Sequence, residues 1–209
     1  MTRKDNTPAI LIHVDGLICD YRQRQVAAET PNYWWPSKLL DDDPVEGALD
    51  LLWDLSKIFR LAYLLARPHK SKVFQASIAW LVEQAFPGGY VLIGETPDDR
   101  VRTVTDAKDE FGVNIVLAVG TDNEEAKVLR RLGIATVSLK AFEPDFGKVR
   151  KFIRRSEWAD TPPRAVELLK CACCGEEYPE EGFARIDFYG SRARRPIRSI
   201  GTTRPGTPC

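Results

Sequence analysis

Apolar runs and segments of helical spacing alternate along the first three quarters of the chain. Ala9-Ile-Leu-Ile-His-Val14 is a short apolar run that stops at Asp15-Gly16, the pattern of a buried strand leading into a turn. Asp43-Pro44 has the form of a cap and first-turn proline, and Val45 to Ser56 repeats its apolar residues at helical spacing. Phe59 to Leu65 is a second apolar run. Ser71 to Ala85 is helical again, with Val73, Ile78, Trp80, Leu81 and Ala85 as its candidate buried face. Strands follow at Tyr90–Ile93, Asn114–Val119 and Ile134–Val137, and helices are predicted over Thr105–Phe111, Asp122–Leu132 and Pro144–Arg155. Gly133 is the expected stop of the helix before it.

Strict alternation with short links predicts parallel βαβ units with right-handed crossovers. The expected fold class is α/β, a Rossmann-like doubly wound sheet of five parallel strands with a small Cys/Arg-rich C-terminal tail. The expected division is a domain over residues 1–158, a proline-bearing linker over 159–170, and a tail over 171–209. In such sheets the ligand site lies beyond the carboxyl ends of the strands. That places His13 to Leu17, Leu65 to Pro68 and Gly120 to Asn123 under suspicion.

Composition changes this picture little, and charge changes it more. No run approaches the roughly 18 apolar residues of a membrane span. Met1 to Asn6 is polar and carries no signal-peptide pattern, so a cytoplasmic, reducing setting is the expectation. The formal charge is zero, yet residues 184–209 hold six arginines (185, 192, 194, 195, 198, 204) against Asp187 alone. That tail is +5 and residues 1–183 are therefore −5, a distribution that invites an acidic or polyanionic partner. Of five cysteines, Cys171, Cys173 and Cys174 lie within four positions and Cys209 follows. In a reducing setting such clustering points to metal before disulfide.

At one set of positions the sequence becomes specific. Ile10-Leu-Ile-His-Val-Asp-Gly-Leu-Ile-Cys-Asp20 resembles the first motif of the haloacid-dehalogenase-like (HAD) phosphatases, a strand ending in Asp-x-Asp-Gly-Thr. Leu64-Leu-Ala-Arg-Pro68 is similar to the second motif, Lys108 stands at third-motif distance, and Val119-Gly-Thr-Asp-Asn-Glu-Glu-Ala126 resembles the acidic fourth. The likeness covers residues 8 to about 155. It is nearest to capless members, such as the 3′-phosphatase domains of polynucleotide kinases.

The resemblance implies an aspartyl nucleophile, an acid/base aspartate two residues on, a hydroxyl and a lysine holding the phosphoryl group, and a Mg²⁺ ion. Here the nucleophile position is His13, the motif-two hydroxyl is Leu65, the first motif-four acid is Thr121, and the Thr after Asp-Gly is Leu17. Asp15, Gly16, Lys108 and Asp122 match, and Asp15 is the catalytic candidate if the chain is active. Mg²⁺ wants hard oxygen ligands. An imidazole and a threonine hydroxyl replace two of them, so Mg²⁺ is expected only in an active protein. Gly16, Arg67, Lys108 and Asp122 are the candidates for a residual phosphate or nucleotide site. Each also has a structural reading: Asp15 capping a turn, Gly16 in the left-handed region, Asp122 as N-cap.

In the tail, Cys171-Ala-Cys-Cys-Gly175 has the form of a zinc knuckle and resembles the front half of zinc ribbons in phage and bacterial DNA-associated proteins. Zinc takes four ligands. Cys171 and Cys174 supply two, Cys209 is the candidate third, and free thiols remain the alternative. Tyr33-Trp34-Trp35-Pro36 forms a lid, a contact surface, or a patch buried on the adjacent helix. The preferred reading is a catalytically silent HAD-like domain that acts as a binding or assembly module. Its partner, a protein or a nucleic acid, would be held through the Arg-rich tail, and no membrane is involved. The alternatives are an active phosphohydrolase on nucleotides or nucleic-acid ends, and a zinc-dependent nucleic-acid-binding protein on a HAD-like scaffold.

Overall fold

A computed structural model describes residues 7–26 (backbone alone for 25–26) and 34–162, together with the backbone of 168–170, 177–179 and 184–185. The expectations for Tyr33, Cys171, Cys174, Cys209 and the arginines beyond 185 lie outside the described residues.

The first strand, β1 (Ala9–His13), is buried along its whole length. Its alternation is apolar on both faces because helices cover both. After the Asp15–Gly16 turn come β2 (Cys19–Asp20), α1 (Arg22–Val26), α2 (Pro36–Leu40) and β3 (Asp43–Pro44). β2 and β3 pair antiparallel, Cys19 opposite Pro44 and Asp20 opposite Asp43. This corrects the expected helix cap at Asp43-Pro44. The pair serves as a rung that closes an excursion, and α3 (Ala48–Ser56) starts later, behind Gly47.

The remaining elements are β4 (Arg60–Leu65), α4 (Ser71–Glu83), β5 (Gly89–Ile93), α5 (Pro97–Asp109), β6 (Ile115–Gly120), α6 (Asn123–Arg131), β7 (Ala135–Ser138), α7 (Phe146–Arg154), β8 (Leu168–Lys170), β9 (Glu177–Pro179) and β10 (Ala184–Arg185). The order β5-β4-β1-β6-β7 is parallel throughout. The doubly wound five-stranded sheet is thus present. The two-residue β10 adds to its β5 edge, also in parallel, and β8 pairs with β9 apart from it.

Two apolar cores result. Leu51, Leu52 and Leu55 of α3, Phe74, Trp80 and Leu81 of α4, and Phe146, Val149 and Ile153 of α7 pack on one face. Val104 and Ala107 of α5 and Leu129 of α6 pack on the other. On α4, Trp80, Leu81 and Val73 are buried as the spacing predicts, joined by Phe74, Ala76 and Ser77. Ala85 is exposed past the helix end, with φ 57°.

The largest departure is α5, a 13-residue helix rather than the short Thr105–Phe111 segment. Its start is a capping box: Thr96 accepts from the Asp99 N–H, the Asp99 carboxylate accepts from the Thr96 N–H, and Pro97 follows the cap. Trp34 packs partly buried with Leu39, Val73 and Ala76, whereas Trp35 is 56% exposed.

Candidate functional site

The parallel register sets the carboxyl ends of three strands side by side. His13 on β1 stands opposite Leu64 on β4, and Ile12 opposite Val119 on β6. His13, Asp15, Gly16, Leu65, Arg67, Thr121 and Asp122 therefore gather at one edge of the sheet. Lys108 does not join them. It lies in the last turn of α5, which runs back toward the opposite edge, and its Nζ donates to the Leu132 carbonyl at 3.1 Å. The first turn of α5 brings Arg100 to the site edge instead.

Two buried charge clusters fill this edge. The first is centred on Asp15. Arg67 donates through Nε to Asp15 Oδ1 at 2.9 Å and Oδ2 at 3.2 Å, with Nη2 2.8 Å from Oδ1. The Ala66 N–H also donates to Oδ2 at 3.0 Å. Arg67 Nη1 donates to Ser77 Oγ (2.7 Å), whose hydroxyl in turn donates to the Val73 carbonyl. Its Nη2 lies 3.6 Å from Cys19 Sγ, and Cys19 donates to Asp42 Oδ2 at 3.1 Å. Arg24 Nε donates to Asp42 Oδ1 at 2.6 Å, while its Nη2 stands 3.8 Å from Asp15. Trp80 Nε1 closes the circuit on the Asp42 carbonyl. Arg24 also lies over the rings of Tyr21 and Trp34.

Two guanidiniums and two carboxylates balance here inside the protein. Burial disfavours the Arg67 charge, but Asp15 and its neighbours more than offset this and hold it firmly protonated. Burial pushes the Cys19 thiol well up, and the pull of Arg67 does not reverse it. The thiol stays a neutral donor. Arg67, an expected anion ligand, is thus spent on Asp15.

The second cluster runs from β1 to α5 and α6. His13 Nε2 is 2.9 Å from Glu125 Oε1, and Arg100 Nε donates to Glu125 Oε2 at 2.8 Å. Arg100 Nη2 stands 3.9 Å from Asp122. Glu125 is buried, so Oε1 depends on a proton at His13 Nε2 for its hydrogen bond. Burial raises the Glu125 carboxyl, but His13 and then Arg100 outweigh it and hold it below the ordinary glutamate range. The imidazole lies flat on Gly120, where a Cβ would approach its ring atoms to 3.0–3.2 Å. A cavity of about 10 Å³ beside it, lined by His13, Gly120, Asp122 and Thr136, has room for about one water.

The backbone donors of the motif-one turn are committed as well. Gly16, in the left-handed region at φ 78°, gives its N–H to the Cys19 carbonyl, and Leu17, Ile18 and Cys19 all donate to Val14. Asp122 spends Oδ1 on the N–H groups of Glu124 and Glu125, as an N-cap does. Leu17 and Leu65 are buried in the apolar core. A Mg²⁺ ion fits this donor set poorly, because the Asp15 oxygens face a guanidinium and an amide at bonding distance.

Arg100, Glu125, Arg24, Asp42, Ser77 and Cys19 were not singled out from sequence. The capping box at Thr96 and the acid run after Asp122 carry a signal for Arg100 and Glu125. The other four meet only through long-range packing.

No protein-family model matches the chain, and no curated protein matches it in sequence. Solved structures do match. A haloacid dehalogenase-like family hydrolase from Streptococcus pneumoniae aligns with TM-score 0.52 at 12% identity, covering 71% of this chain and 99% of its own. A chain of the Pnkp1/Rnl/Hen1 RNA repair complex aligns with TM-score 0.50 at 13% identity, covering 65% of this chain and 43% of its own. This chain therefore spans less than half of that second protein. Such identities speak to the path of the backbone, and that path is the haloacid-dehalogenase-like hydrolase fold.

Proposed function

We propose that this chain is a catalytically silent HAD-like domain that serves as a binding or assembly module. The observation that carries the reading is the state of Asp15. A general acid/base must exchange a proton with substrate and water. The Asp15 carboxylate instead takes Arg67 and the Ala66 N–H at 2.8–3.2 Å and is itself almost fully buried. Both oxygens of the carboxylate are thus turned to protein donors, where an acid/base would face substrate.

The other positions agree. His13 at the nucleophile position is engaged with Glu125. Leu65 offers no donor, and Thr121 brings no charge for Mg²⁺. The clusters use the carboxyl edge to hold the fold, where an enzyme would leave it open to substrate. One of the structurally similar proteins resides in a multi-protein RNA repair complex, which accords with an assembly role for this backbone.

The test is turnover by the purified chain with Mg²⁺ on an aryl phosphate and on 3′- and 5′-phosphorylated DNA, beside Asp15→Asn. The expected result is no turnover by the wild type above the Asp15→Asn background. Mg²⁺-dependent turnover that disappears in Asp15→Asn would overturn the reading and make the chain an atypical phosphohydrolase.

A further inference from the structure

The outer face of α7 gathers exposed cations that have no ion-pair partner among the described residues. Phe146, Val149 and Ile153 face the sheet and are buried. At 100° per residue, Lys148, Lys151, Arg154 and Arg155 fall within about 120° of arc on the opposite side. All four are exposed. None has an ion-pair partner among the described residues, in contrast to Arg150 on the flank, which reaches Asp54 at 3.2 Å. Elsewhere on the surface Lys57, Arg102 and Lys127 are each neutralised by an acid three residues away. Glu157 beyond the helix, Glu46 ahead of α3 and Asp50 on it are also exposed, and none of them pairs with the four cations.

We infer that this face of α7 is a docking surface for the phosphate backbone of a nucleic acid. Lys148 to Arg155 spans on the order of 10 Å, over which one strand of a duplex carries about three phosphates. Two of the four cations are arginines, whose planar fork suits phosphate oxygens. A membrane surface fits less well. An interfacial helix must insert an apolar face, and the apolar face of α7 is committed to the core. The large exposed apolar residues Trp35, Trp53, Val82 and Phe111 all lie off α7. The face reads no base edge, so binding is indifferent to sequence and falls steeply with salt. The concentration of four free cations on a body of net negative charge is what marks it.

The inference rests on the reading of the chain as a binding module, and its test is separable from turnover. Fluorescence anisotropy with a labelled 20-nucleotide single-stranded DNA at low salt compares the full-length chain with three variants. These are Lys148→Ser/Lys151→Ser/Arg154→Ser/Arg155→Ser, the equally exposed α6 control Arg130→Ser/Arg131→Ser, and a tail variant with Arg192, Arg194, Arg195 and Arg198 changed to Ser. The α7 variant is expected to bind at least tenfold more weakly, with a log–log salt slope shallower by roughly two to three. The α6 control is expected to match wild type. An α7 variant within twofold of wild type would overturn the inference, as would an equal loss in the α6 control. Binding carried wholly by the tail arginines would overturn it too. So would equal or tighter binding of poly-glutamate or phosphatidylserine vesicles. Silence in the phosphatase assay leaves this binding result unaffected.

Discussion

The two charge clusters lie side by side at the carboxyl end of β1 but are built differently. On the Asp15 side, two permanent cations meet two carboxylates, and Ser77, Cys19, Trp80 and the Ala66 N–H supply further hydrogen bonds. On the His13 side, one of the two cationic partners is an imidazole, charged only when protonated. The first cluster is held by forked guanidinium contacts shared among several partners. The second hangs on one contact from a ring nitrogen and one guanidinium. Burial is similar in both, so the difference lies in the identity of the cation, and sites of equal depth can differ in how many bonds hold them.

The comparison breaks most sharply at Arg67. Arg67→Ala leaves Asp15 buried without its partner and is expected to cost about 3–5 kcal/mol, read as a drop in the urea midpoint at unchanged slope. Arg67→Met with Asp15→Leu removes both charges, and should recover most of that loss.

On the His13 side the equivalent mechanical lesion is Gly120→Ala. The new Cβ meets the imidazole at 3.0–3.2 Å, and about 1–3 kcal/mol should be lost.

The proton dependence gives a smaller effect with a definite sign. The Glu125 carboxyl is depressed in the folded state. The stability it contributes is therefore complete above the ordinary glutamate pKa of ~4.3 and is lost as pH falls through the lower folded value. Urea melts of Glu125→Gln between pH 7 and pH 3 should show a flatter acid limb than wild type. An unchanged acid limb would mean that another carboxylate governs it.

The smallest expected effect is at Lys108, exposed and far from both clusters. Lys108→Ala should leave the urea midpoint and any phosphate binding unchanged.

The order of elements could be read from the chain because buried strands here are continuous apolar runs, and those runs are local features. Ile10 to Ile12 and Leu61 to Leu65 announce themselves. So do the departures at His13, Leu65 and Thr121, since they stand at fixed offsets from strand ends. Lys108 stands apart from the site for a local reason. The capping box at Thr96-Pro97-Asp98-Asp99 starts α5 well ahead of Thr105, which leaves Lys108 in its last turn. Arg67 is legible as a cation at the right strand end, but its commitment to Asp15 is not, since that pair is 52 residues apart in sequence. Arg24 and Asp42 were beyond reach for the same reason. They meet through an excursion that the β2–β3 rung holds closed, and no local pattern encodes that closure.

The Arg67–Asp15 clamp also bears on how substitutions at this end of the sheet combine. An aspartate at 13 would face Glu125, with Arg100 left to serve two carboxylates, while Asp15 would still be held by Arg67. Changes at 13 and 125, or at 15 and 67, share partners, so their effects on stability do not add. The clamp works as a latch: while Arg67 and Asp15 hold each other, a change at a neighbouring position leaves the pair closed.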